Sequence, residues 1–366
     1  MSRATAVFVA MFFLLSDASA LPRFAARTGA KCQSCHIDPA GGGMRQAFGA
    51  QYGREKLPVP AWSNSFGLED FSTLLTNFIG VGADFRTLYF YQQLPDTSGS
   101  ANRNAFFQMQ GDLYLNFRLA KKVSVYLNKG LYSGFEAFGL MNILPANGHI
   151  KVGKFLPDFG TRMDDHTAFI RTMTGFSPEQ GRPELTGAEV GIAPGRFSVV
   201  GGVYNATDGF AGSGGSNKAL LGRAEGMFDL GEEFHLGLGG DIFTRENEFG
   251  ARNTLYGGFW SVSYQTVVLL GEVDYIRSSG NNATITGLVS YVEGSWLVTP
   301  GIDLKLAYDF YDPNIDYKTG SQSRVSVGCE FFPIEGVEVR PMYRFKIEKP
   351  TDLRNDEFDL LLHFYL

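Results

Sequence analysis

Cys32-Gln33-Ser34-Cys35-His36 brings two thiols, three residues apart, next to an imidazole. In an exported chain this spacing is the attachment pattern of a c-type haem: each thiol can form a thioether to a haem vinyl, and the adjacent histidine meets the iron from one face. A thioredoxin-like pair, a disulfide or half of a zinc site would use the same residue types. No βαβ pattern surrounds the motif, however, and no second Cys/His pair stands at zinc-ligand spacing. His36 then fills one axial position of the iron, and the sixth position decides between electron transfer and ligand chemistry. Met44, beyond the flexible Gly41-Gly42-Gly43, is one candidate for it; packing on a short helix is the alternative for that side chain.

Export is indicated by the start of the chain. Arg3, the apolar stretch from Ala6 to Leu15 and the small residues Ala18-Ser19-Ala20 read as a signal peptide over 1–20. Residues 21–56 then form the monohaem cytochrome c segment, with a short helix expected over 44–52. Residues 57–78 form a linker marked by Pro58 and Pro60, with a second short helix expected over 68–77.

The rest of the chain must position this segment. Its 366 residues include 45 Gly, 32 Phe, 16 Tyr and 3 Trp, with 19% charged residues and a net charge of −6. That composition excludes a disordered chain and a nucleic-acid-binding one. After the first twenty residues no apolar run approaches the ~18 residues of a membrane helix, which excludes a helical bundle but not a membrane barrel.

From residue 79 to 366 the apolar pattern has period two. Phe107, Met109, Leu113, Leu115 and Phe117 alternate with Gln108, Gln110, Asp112, Tyr114 and Asn116. Val337, Val339, Tyr343, Phe345 and Ile347 alternate with Glu338, Arg340, Met342, Arg344 and Lys346. Most runs last about 10 to 14 residues, longer than the ~5–6 of soluble sandwiches and long enough for tilted membrane strands. Short turns at 120–122, 146–148, 194–196, 230–233, 264–266, 299–301 and 333–336 alternate with mostly longer loops, the longest at 157–184. The expected fold is all-β: a 16-stranded antiparallel transmembrane β-barrel, or 14-stranded if the glycine-blurred hairpin over 122–145 does not form. An even count returns both ends of the barrel to the periplasmic side. The last strand alternates to the terminus, and Cys329 reads as a small apolar wall residue.

Residues 21–366 resemble the fused outer-membrane cytochrome-porins, in which one c-type haem segment precedes a barrel of about sixteen strands. The likeness rests on Phe24-Ala25-Ala26-Arg27-Thr28-Gly29-Ala30-Lys31 leading into the Cys32–His36 motif, and on the barrel architecture. After the motif, Ile37 to Met44 differ from the iron-oxidising branch of that family. The resemblance implies one covalent haem c in the outer membrane of a Gram-negative bacterium, with the haem segment on the periplasmic side. It also implies electron transfer at or across that membrane, from Fe(II) outside to a periplasmic soluble c-type cytochrome. The alternative function is a solute-conducting porin whose haem segment is a plug or redox gate.

Further candidates follow from the topology. His149, His235 and His363 fall on polar strand faces near the periplasmic mouth, as distal haem ligands or as ordinary wall residues. In sixteen-stranded porins the loop at 157–184 folds inward, so a charged constriction is expected from Asp158, Arg162, Asp164, Asp165, His166, Arg171, Glu179, Arg182 and Glu184. Asp164-Asp165-His166 offers carboxylate and imidazole ligands to Fe(II), or is solvated. No nucleophile or phosphate motif stands out.

Overall fold

The computed structural model describes residues 23–62, 73–94, 102–131, 134–177, 183–206, 217–247, 249–280 and 283–366. The signal segment 1–20 and the loop residues Glu179 and Arg182 lie outside the described residues.

Sixteen antiparallel strands close into one barrel: β1 (Ile79–Gln92), β2 (Arg103–Ala120), β3 (Val123–Gly130), β4 (Phe135–Leu144), β5 (Gly148–Phe155), β6 (Leu185–Ile192), β7 (Phe197–Asn205), β8 (Lys218–Asp229), β9 (Phe234–Glu246), β10 (Arg252–Tyr264), β11 (Val267–Gly280), β12 (Ala283–Thr299), β13 (Ile302–Asp312), β14 (Gln322–Phe331), β15 (Val337–Glu348) and β16 (Glu357–Tyr365). Each strand pairs with its neighbours in sequence, and β1 closes the ring on β16 from Asp84↔Tyr365 to Gln92↔Glu357. No edge is left unpaired, as a sheet immersed in lipid requires. The β3–β4 hairpin forms, from Val123↔Met141 to Lys129↔Phe135, so the count is sixteen. Short turns lie at one end; the β4–β5 turn places Ala146 and Asn147 both at φ 54°, the conformation a tight hairpin requires.

The alternation sorts the faces as lipid and water demand. Val203, Leu220, Leu238, Leu269, Leu306 and Phe345 are exposed on the outside. Lys151, Glu189, Glu272, Asp309, Arg324 and Arg340 are buried on the inside. The interior is therefore filled rather than open. Part of the filling is an arc of aromatic rings carried by the inner wall: Tyr126 stands 4.9 Å from Phe138, Phe138 is 5.7 Å from Phe155, and Phe155 is 5.9 Å from Tyr204.

Two sequence expectations are corrected. The helix expected over 44–52 is Ala47–Glu55: Met44 and Arg45 instead run antiparallel to Ile37 and His36, with Ile37 N donating to Met44 O at 3.0 Å. Residues 73–77, the described part of the expected second helix, are bent and extended, and Leu74 bridges Gly80 on β1.

Leu306 stands at the middle of β13 with its side chain outward. Leu306→Arg should lower unfolding stability in lipid by about 2–4 kcal/mol, whereas Leu306→Ile should leave it nearly unchanged; urea unfolding in vesicles reads the difference.

Candidate functional site

Residues 23–59 form a plug at the short-turn mouth. It begins with α1 (Arg23–Thr28), continues through the single turn α2 (Cys32–Cys35), reverses at the glycines and ends in α3 (Ala47–Glu55). Gln46 N donates to Cys35 O at 2.7 Å, and its side-chain amide donates to Gln33 O and His36 O, so the residue before α3 satisfies the carbonyls at the end of α2. Gly49 allows α3 to lie on α2, because a Cβ there would collide with the Cys35 carbonyl.

The plug is tied to the wall on several sides. Arg23 pairs with Glu330 on β14, Arg27 with Asp303 on β13 at 2.7 Å, and Ser263 on β10 donates to Ala26 O at 2.7 Å. Lys31 reaches Ala193 O and Gly195 O in the β6–β7 turn, Met44 N donates to the Tyr126 hydroxyl on β3, and Val59 N donates to Phe332 O. The deepest tie is Lys151 on β5, fully buried, 3.1 Å from Asp38 and 2.7 Å from Glu189. Burial opposes the Asp38 charge, but Lys151 and Arg162 outweigh it and hold the carboxyl below its ordinary value.

The loop between β5 and β6 folds into the lumen above the plug. Its first part hangs on acidic wall residues: Leu156 N donates to Glu136, Asp158 N to Glu189, Gly160 N to Asp241 and Thr161 N to Glu272, at 2.6–3.0 Å. Its second part reaches a basic wall: Asp164 lies 2.7 Å from Arg86 on β1 and 2.6 Å from Arg340 on β15, and Asp165 lies 2.9 Å from Arg344. A short helix, α4 (Phe169–Thr172), follows, and Phe169 N donates to Asp309. The described part of the loop is thus held inside the barrel, where the sequence places a constriction. Arg162 joins loop to plug, donating to Gly41 O at 2.5 Å and facing Asp38 at 3.4 Å.

The structure does not gather Asp164, Asp165 and His166 into a metal cradle, because each is spent on an arginine. Burial alone would raise both carboxyls, but the guanidiniums hold them well below the usual carboxylate range. Among the described residues one carboxylate trio does converge, Asp164, Glu330 and Glu338, with oxygens within 4.8 Å of one another. Arg340 contacts all three, and Arg86, Lys305 and Arg23 add further positive charge, so the trio is an ion-pair knot.

Between plug and loop lies a cavity with about 1550 Å³ of space between atoms, part of it open to solvent. Cys35 and His36 line it from below; Asp164 and His166 line it from the loop; Asp84 and Arg86 line it from the wall. The His36 ring sets Nδ1 toward Gly43 O at 3.4 Å, and Nε2 makes no hydrogen bond among the described residues. Burial, with Arg45 beside it, lowers this imidazole to about 4, so it is neutral at neutral pH, the form that ligates metal. Burial also raises both thiols of the motif, which are not cross-linked.

The remaining candidates separate. Cys32 is turned away from the cavity, its sulfur under Gly41, and lines a smaller pocket with His149. Met44 packs against Gly80 and Gly82 of the wall. His235 meets Asp229 at 2.5 Å beside Gly29 of the plug. His363 uses both ring nitrogens, toward Glu338 at 2.9 Å and Asp84 at 3.0 Å. Sequence reading missed Lys151, Arg86, Arg340 and Arg344 as anchors; strand periodicity points them inward, but only the closed barrel shows what they meet.

Fold and lumen together define a porin-like sixteen-stranded β-barrel with an internal plug. The sequence matches no family model and no curated protein. Solved structures are similar in fold. OmpT of Vibrio cholerae aligns with a TM-score of 0.58 at 11% identity, over 81% of this chain and all of that one. The anion-selective porin from Comamonas acidovorans gives 0.56 at 11%, over 79% and 99%. Salmonella typhi OmpF, in complex with daunomycin, gives 0.57 at 10%, over 79% and 97%.

Lys151→Met leaves Asp38 and Glu189 as unpaired buried carboxylates, a change that costs about 3–5 kcal/mol where a buried ion pair is broken. The expected result is a barrel that stays closed while the plug loosens, read as faster trypsin cleavage at Arg27 and Lys31.

Proposed function

We propose that the chain is a porin-like outer-membrane protein whose channel is stopped by its own N-terminal segment, and that this segment carries one covalent haem c. The observation that carries the reading is the cavity inside the lumen, bounded by Cys35 and the neutral His36. Its lining fits a haem in two respects. His36 has the Nδ1 contact that orients a metal-ligating imidazole. Among the described residues, buried guanidinium nitrogens on Arg23, Arg86 and Arg162 lack hydrogen-bond acceptors, as a site for carboxylate-bearing groups would have. Cys35 lines the cavity beside His36, whereas Cys32, three residues before it on the same helical turn, faces the neighbouring pocket. When bound, the haem supplies one-electron oxidation and reduction. His36 would hold the iron, and the cysteines of the motif would anchor the ring.

The fold favours a channel whose plug is a redox gate on solute passage. A second reading, electron transfer between a donor at the outer face and a soluble c-type cytochrome on the periplasmic side, is favoured by the plug and loop that occupy the lumen. A haem inside the barrel shortens the distance across an apolar band ~25 Å tall. Fe(II) is the donor that the sequence resemblance implies.

Replacing Cys32 and Cys35 together by alanine should abolish covalent haem staining of the membrane-extracted protein and leave the folded barrel's gel mobility intact. Persistent staining removes the haem reading. Gate and conduit separate in planar bilayers poised with dithionite or ferricyanide. A gate changes conductance with haem oxidation state. A conduit conducts in neither state, and its haem is reduced by Fe(II) and reoxidised by a soluble cytochrome c.

A further inference from the structure

A pair of carboxylates on the inner wall lacks the partners that its neighbours have. Asp241 on β9, Gly257 on β10 and Asp274 on β11 stand side by side across three strands, since Gly257 is the register partner of both acids. The two carboxylates lean toward each other over the glycine: a Cβ on Gly257 would stand 2.0 Å from Asp241 Oδ1 and 2.7 Å from Asp274 Oδ1. Like charges lean apart unless something positive lies between them. A glycine inside a strand weakens it and marks a place where another group comes close.

Neither of these oxygens has a hydrogen-bond partner among the described residues, nor has Oδ2 of Asp274, a residue with no exposed surface. Arg223, the register partner of Asp241 on β8, is already divided among Asp158, Glu225 and Asp241. Glu272, the next inward residue of β11, adds a further carboxylate and takes the Thr161 N–H. The other inward neighbours are apolar and buried: Leu255 and Phe259 on either side of Gly257, and Val289 of β12 opposite Asp274. Water does not screen two charges in such surroundings, so the pair calls for a cation.

We propose that Asp241 and Asp274 bind a hard divalent cation of the calcium class, seated over Gly257. Carboxylate oxygens are the ligands such an ion takes, the two negative charges match its own, and calcium accepts the irregular geometry that two neighbouring strands offer. The site goes beyond the haem reading and does not depend on it. Asp241 Oδ2 accepts from Gly160 N at 2.7 Å, so an ion that fixes Asp241 also fixes the first part of the constriction loop.

The test uses the full-length protein in detergent, freed of lipopolysaccharide, stripped with EDTA and dialysed at neutral pH against calcium chloride. Wild type should take up one calcium per chain. Its thermal unfolding midpoint should rise above that of the stripped protein, and the Gly160 and Thr161 amides should exchange hydrogen more slowly. Asp274→Asn should lose the ion and the calcium-dependent rise. In EDTA it should unfold at a higher temperature than stripped wild type, because one of two repelling charges is gone. Gly257→Ala puts a methyl group where the ion would sit and should lose binding as well, which guards against a folding defect in the asparagine variant. A wild type that takes up no calcium and is indifferent to EDTA overturns the proposal and leaves the two acids sharing a proton. Undiminished binding in either folded variant also overturns it, because the ion then sits elsewhere, as at the trio of Asp164, Glu330 and Glu338.

Discussion

Inside the barrel, carboxylates and guanidiniums on the wall are shielded from bulk water, and most of them meet an opposite charge or an N–H group. An unpaired buried charge costs several kcal/mol, and that requirement organises everything within the lumen. The acidic wall takes its N–H groups from the first part of the constriction loop, through Glu136, Glu189, Asp241 and Glu272. The basic wall takes its carboxylates from the next part, through Asp164 and Asp165. The loop is strung between the two by charge, and its aromatic residues Phe159 and Phe176 stack at 5.1 Å beside Phe243 of the wall.

The plug obeys the same rule from the other mouth. Asp38 satisfies Lys151 and Arg162, and Arg23 and Arg27 satisfy Glu330 and Asp303. Because Arg162 belongs to the loop and Asp38 to the plug, neither layer can leave without exposing a charge on the other. Docking of the loop on the plug and assembly of the cavity lined by Cys35 and His36 are thus coupled. Within this porin-like fold, what holds plug and loop in the lumen is where the interior charges find partners.

Much of this was legible in the residues. Period-two alternation, the short and long connections in turn and the even strand count follow from sequence, because lipid outside and charge inside impose the same pattern on every strand. The hairpin of β3 and β4 was ambiguous only because Gly130, Gly134 and Gly139 weaken the pattern; the ladder on both sides enforces it. The start of α3 was misplaced because residues 36–45 look helical or loop-like in isolation, while their pairing depends on a reversal at three glycines with positive φ.

The Cys32–His36 motif and the barrel are determined by the sequence itself, since local spacing and periodicity encode them; the inward loop is implied only by the resemblance to sixteen-stranded porins. What only the tertiary structure decided is which side chains meet. It turned Met44 to the wall, spent both nitrogens of His363 on carboxylates, placed Cys32 and Cys35 on different spaces, and brought His166 from residues far along the chain into the cavity of His36. The reason is physical: partners inside a closed barrel are chosen by strand register and by neutralisation of charge across the lumen, and neither leaves a trace in local sequence.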